Sequence, residues 1–212
     1  MLLSPAYLPP IWYFSKLLAC EGQTVKIEQW DSYGKQTYRN RCIIAGADGL
    51  MTLTIPVEKT NEVKCLMKDT RISDHGNWRH QHWNAIESAY AGTPFFLYYE
   101  DDFRPFYEQP FKFLYDYNMQ LVQLCCTLID IHPHLMPTQH YIHDEEDDYR
   151  DTIHPKNDFS LDKTFHAMPY YQVFADRFGF QPNLSIIDLL FNMGPESIFV
   201  LQQSYNANCQ SI

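Results

Sequence analysis

Two periodicities divide this chain, and the division restricts what it can fold into. Before residue 60 apolar and polar residues alternate, in TVKIEQW (24–30), YRNRCIIAG (38–46) and LMTLTIPVE (50–58). A period of two suits strands whose successive side chains point to opposite faces. The dipeptide-like ADG between the last two predicts a hairpin, and DTRIS (69–73) a further short strand. From residue 77 the spacing lengthens. In NWRHQHWNAIESAYA, Trp83, Ile86 and Tyr90 recur at helical spacing, with Trp78, His82, Ala85 and Ala89 as a stripe beside them and Gly92 as the stop. IWYFSKLLAC (11–20) carries a helical pattern after Pro9 and Pro10, which suit a helix start. A long helix is expected near 108–130, with Pro110 in its first turn. A shorter one is expected over IIDLLFNM, capped by Asn183 or Ser185 and closed by Gly194. Strands early and helices late predict an α/β or α+β fold, with a small sheet built mainly from the N-terminal half and a helical C-terminal half.

One domain over residues 1–212 is expected, interrupted at about 131–163 by a polar, acidic and mobile excursion containing HDEEDDYRD. Residues 59–70 read as a polar connection. With 16 Lys and Arg against 26 Asp and Glu, the net charge of −10 disfavours nucleic-acid binding but permits a local basic pocket for one small anion. Six cysteines (Cys20, Cys42, Cys65, Cys125, Cys126, Cys209) show no CxxC pair, which suits free thiols in a reducing cytosol. The apolar N-terminus lacks a basic leader and is broken by Pro5, Pro9 and Pro10, unlike a signal peptide. No stretch reaches the roughly 18 apolar residues of a membrane span. A cytoplasmic protein is expected.

Arg39 and Arg41, two apart in an extended segment, share a face with Ile43. Paired guanidinium groups grip carboxylate or phosphate, and Asn40 between them could orient a ligand. Solvated charges on an edge strand explain the pair equally well. Trp78 and His82, at i and i+4, stack indole on imidazole; the histidine suits either a general base or a half-buried core position. Cys42 alternates to the opposite face from the arginines and reads as a buried structural thiol. His132, His134, His140, His143, Asp144, Glu145 and His154 match no metal-ligand spacing, so no metal site is assigned. There is no G-x-S-x-G, HExxH, P-loop or G-x-G-x-x-G, and the cofactor is unknown. Asp188 and Asn192, at i and i+4, read as a solvated helix face slightly ahead of a hydrogen-bonding pair.

In their order along the chain, SPAYLPPIWYFSKL, YRNRCII, LTIPVE, NWRHQHWNAIESAYAGTPFF, LYDYNMQLV and NLSIIDLLFNMGPE resemble the WbqC-like family, over about residues 2–130 and 165–200. The resemblance implies a role in surface-polysaccharide (O-antigen-type) synthesis, with acyl or aminoacyl (glycine) transfer to a nucleotide-linked sugar. It marks Tyr7, Pro9, Arg39, Asn40, Arg41, Trp78, His82, Tyr90 and Asn118. On this reading His82 is the catalytic base, and Tyr7, Arg39, Asn40, Arg41, Trp78, Tyr90 and Asn118 bind substrate. The expected partner is a phosphorylated or nucleotide-linked small molecule. The chain departs from the family pattern at Ser4, often glutamine, and at Tyr38, often asparagine. The segment 131–163 looks specific to a subgroup.

Overall fold

The computed structural model describes residues 1–59 and 64–206. Cys209, expected to be a free thiol, and residues 60–63 of the expected polar connection lie outside the described residues. The fold is mixed α/β. Strand β2 (Thr24–Ile27) is the middle of a three-stranded parallel sheet, between β1 (Leu2–Leu3) and β5 (His134–Pro137). In register, Lys26 lies opposite Leu2 and Met136. Parallel strands are normally covered on both faces, and Leu2, Leu3, Val25 and Ile27 are completely buried. Strands β3 (Arg41–Gly46) and β4 (Gly49–Thr54) form a separate antiparallel hairpin whose two-residue turn is Ala47–Asp48. DTRIS contributes only isolated bridges, Ile72 to Val57 and Arg71 to Phe113.

Among the described residues, seven α-helices surround these strands. Helix α1 (Ile11–Ala19) is buried on nearly every side, so even Lys16 is enclosed. Burial lowers the Lys16 pKa, while Asp162 at 2.5 Å and the more distant charge of Asp147 oppose that shift. Helix α2 (Trp78–Tyr90) buries both predicted stripes, Trp83, Ile86 and Tyr90 with Trp78, His82 and Ala89. Helix α6 (Ile186–Met193) follows α5 (Ala175–Phe178) and precedes α7 (Ser197–Ser204). Its Phe191 meets the rings of Tyr90, Phe96 and Phe103, joining α6 to α2 and α3 (Phe96–Glu108). Gly194 ends α6 at φ 55°, where a Cβ would lie 2.4 Å from the Phe95 ring. Among the described residues no helix is long and apolar enough to cross a membrane.

The long helix expected near 108–130 is present but starts later, and an unexpected helix precedes it. Helix α3 (Phe96–Glu108) ends where Gln109 turns extended, and α4 (Leu114–Ile129) begins beyond Pro110. A residue preceding proline is driven out of helical geometry, so Pro110 separates the helices and does not open one. Residues 131–163 are also built into the fold. They supply β5, and backbone hydrogen bonds join Leu2 to Asp147 (2.8 Å) and Tyr149 (3.0 Å). Glu145 binds the Met1 ammonium and Lys26, and Arg150 reaches the fully buried Glu28 at 3.2 Å.

Removing one member of a buried ion pair strands the other charge, at a typical cost of about 3–5 kcal/mol. Arg150→Ala is expected to destabilise the protein on that scale in urea denaturation. Arg79→Ala, breaking a pair whose Asp74 is 74% exposed, should cost about 1 kcal/mol or less.

Candidate functional site

A cleft of about 310 Å³ opens where three segments meet: Ser4–Ala6, the loop from Asp31 to Arg39, and residues 149–154. Tyr13 and Tyr38 supply aromatic walls, Arg39 and Arg150 bring positive charge and Asp31 and Asp151 negative charge, and His154 lines the cleft beside them. Arg39 sits in the turn before β3, not on the strand, so the alternation expected to align it with Arg41 does not operate. Its guanidinium donates to Asp31, to the Ser32 carbonyl (2.6 Å) and to Ser4 Oγ (3.1 Å). Asn118 donates from Nδ2 to the Arg39 carbonyl at 2.7 Å, which fixes the turn from beneath.

Arg41 opens β3 half-buried, with Ile43 on the same face and Cys42 and Ile44 buried on the other. It joins no ion pair among the described residues, and its buried Nε has no hydrogen-bond partner. His154 shows where this charge is felt. Its pKa is lowered by burial first, then by Lys156 and, beyond an opposing Asp151, by Arg39 and Arg41. The Lys156 backbone N–H donates to His154 Nδ1 at 3.1 Å, so a neutral ring carries its proton on Nε2. His154 therefore offers the cleft a hydrogen-bond donor.

Asn40 closes the hairpin. Its Nδ2 donates to the Ile55 carbonyl (2.9 Å), while the Ile55 N–H donates to the Asn40 carbonyl (2.8 Å), so the side chain extends the strand ladder. His82 is 5% exposed and borders none of the clefts described. Its Nδ1 lies 3.0 Å from the Tyr7 hydroxyl, which is 2.9 Å from that of Tyr107. Burial holds its pKa down to about 4, against a hydrogen bond to the Thr54 backbone. Donation to that carbonyl leaves Nδ1 to accept from Tyr7. Trp78 packs edge-on to the imidazole at 5.0 Å and to Tyr117 at 5.8 Å, and Tyr117 stacks on Tyr7 at 6.0 Å.

Of the eight residues expected to form the site, Arg39 lines the first cleft, and Tyr7, Trp78, His82 and Asn118 form the buried frame behind it. The Tyr7 N–H joins frame to cleft wall by donating to the Tyr38 carbonyl at 2.8 Å. Tyr90 lies apart, donating to Asp188 at 2.8 Å. Asp188 also accepts from Tyr170 at 2.7 Å, and Asn192 Oδ1 accepts from the Val173 N–H at 3.2 Å. That pair was expected on a solvated face; it is buried and ties residues 170–181 to α6. Sequence reasoning missed Asp31, Tyr149, Arg150 and His154 in the cleft, because 131–163 reads by composition as solvated loop.

A model of the WbqC-like protein family matches residues 4–156. The matched range includes residues 131–156. The chain is 26% identical to the uncharacterized protein Rv1507c of Mycobacterium tuberculosis over 215 residues, spanning 90% of this chain and 92% of that protein. No solved structure matches.

Because folding lowers the His82 pKa from 6.5 to about 4, the unfolded chain binds the extra proton between those values. His82 therefore contributes stability that is full above pH 6.5 and is lost as pH falls towards 4, by up to about 3 kcal/mol. Urea denaturation at several pH values should show this slope in the wild type, flattened in His82→Asn.

Proposed function

The chain belongs to the WbqC-like protein family, and from that premise we propose that it acts in the cytoplasm in surface-polysaccharide biosynthesis, holding a phosphorylated or nucleotide-linked sugar in the first cleft. The observation that carries the reading is that two arginines, Arg39 and Arg150, line the cleft beside Asp31 and Asp151, in a chain of net charge −10. Arg39 lines the cleft, Arg41 lies outside its lining and joins no ion pair among the described residues, and both depress the His154 pKa. The half-buried His154 presents an Nε2–H donor, and Tyr13, Tyr38 and Tyr149 offer rings on which a sugar or base can pack. Arg39, already held by Asp31, supplies shape and a residual positive field, while Arg41 supplies the uncompensated charge.

Acyl or aminoacyl transfer to that sugar is the fuller form of the reading. A base would take a proton from the sugar's amine or hydroxyl as that atom attacks the acyl carbon and the carrier group departs. His82, buried with its ring nitrogens engaged, serves in this scheme as a positioning residue that orients Tyr7 behind the cleft wall. The engagement of both His82 and His154 Nδ1 favours a second reading, a non-catalytic module that binds the same sugar.

Calorimetry is expected to detect binding of a nucleotide-linked sugar, weakened at least about tenfold by Arg41→Ala, the scale of a hydrogen bond to a charged group. Absence of binding to the wild type, or unchanged affinity in the variant, would overturn the anion-site assignment. Turnover of a bound acyl donor separates enzyme from binding module.

A further inference from the structure

A second cleft, of about 440 Å³, lies between the start of α2 and the end of α3. Asn77, Arg79 and Trp83 line it from α2, and Arg104 and Tyr107 from α3. Its wall contains two buried donors with no acceptor. Trp83 is 8% exposed and its Nε1 has no hydrogen-bond partner; Arg79 Nη1 is likewise buried and unpartnered, although Nη2 of the same residue pairs with Asp74. Indole and guanidinium nitrogens can only donate, so each needs an acceptor.

The surroundings have the same polarity. Asn77 caps α2 in a left-handed conformation at φ 48° without a side-chain cap, and the first turn holds no acidic residue. The positive end of a 13-residue helix therefore adds to the two donors. The Arg104 guanidinium stands 5.1 Å over the Trp83 ring while paired with Glu100. It is a long, partly exposed side chain that covers the face of the ring. Glu87 and Glu108 also border the cleft and disfavour a doubly charged guest.

We propose that this cleft is a binding site for the carboxylate of a small molecule, its two oxygens accepting from Trp83 Nε1 and Arg79 Nη1. Unsatisfied buried donors are costly, and one planar, singly charged group with two acceptors relieves both together. The site is independent of the sugar-binding cleft, so either assignment can fail alone. It is connected to the buried frame, because Tyr107 in its wall is hydrogen-bonded to Tyr7 and through it to His82.

The test follows the Trp83 indole N–H resonance of ¹⁵N-labelled full-length protein, assigned by its loss in Trp83→Phe, during titration with acetate at constant ionic strength against chloride. A saturable shift is expected with acetate, weaker with inorganic phosphate, and with acetate affinity reduced about tenfold in Arg79→Gln. A Trp83 resonance that moves no more with acetate than with chloride overturns the proposal. Tighter binding of phosphate than acetate, or full acetate affinity in Arg79→Gln, overturns the carboxylate assignment.

Discussion

The buried pair Glu28–Arg150 decides where the cleft walls stand. Glu28, at the end of β2 with none of its surface exposed, accepts from the Trp30 N–H (2.8 Å), Thr138 Oγ1 (2.8 Å), the Ile142 N–H (3.0 Å) and Arg150 (3.2 Å). A carboxylate taken out of water at that depth is tolerable only when its lone pairs are met, and here four donors from three stretches of chain meet them. Arg150 is in turn clamped by Asp148 and lies over the Tyr141 ring. Tyr149 and His154 are thereby carried to the side of the cleft facing Arg39. Lys16 and Asp162 repeat the device one step along the chain, fixing the other end of the same segment to α1.

Behind the cleft, aromatic packing takes over from charge. Tyr7 is the junction, with its backbone on the Tyr38 wall and its hydroxyl between His82 and Tyr107. A neutral imidazole suits that place, since a charged one would have to be buried among rings without a counter-ion. The first cleft and the α2–α3 cleft thus share one rigid partition. Substituting Tyr7 would disturb both, whereas Arg41 and Trp83 address them separately.

The hairpin, α1, α2 and α6 were legible because each follows from local periodicity and a stop signal. The Trp78–His82 stripe and the placement of Cys42 opposite Arg41 follow from the same geometry. Helix α3 was missed because Pro105 sits inside the helix. The third strand of the main sheet was missed because HLMP pairs with β2 across more than a hundred residues, and its neighbourhood is dominated by acid. Arg39 was legible as important but not in its role: the sequence has no means of announcing that Asp31, Ser32 and Ser4 will hold its guanidinium. His154 was discounted as one of many histidines in a solvated tract, and only the Glu28–Arg150 contact brings it to a cleft. Ser4 and Tyr38, the two positions at which a departure from the family pattern was expected, both line that cleft.

The histidine at the cleft edge gives the most direct measure of whether an anion binds there. Burial, Lys156, Arg39 and Arg41 hold the His154 pKa down. A phosphoryl group seated among them would cancel part of that positive field and raise it. Titration of the His154 ring by NMR, with and without a saturating nucleotide-linked sugar, should show an upward shift in the bound state. A bound sugar that leaves the His154 titration unmoved would contradict the assignment of this cleft.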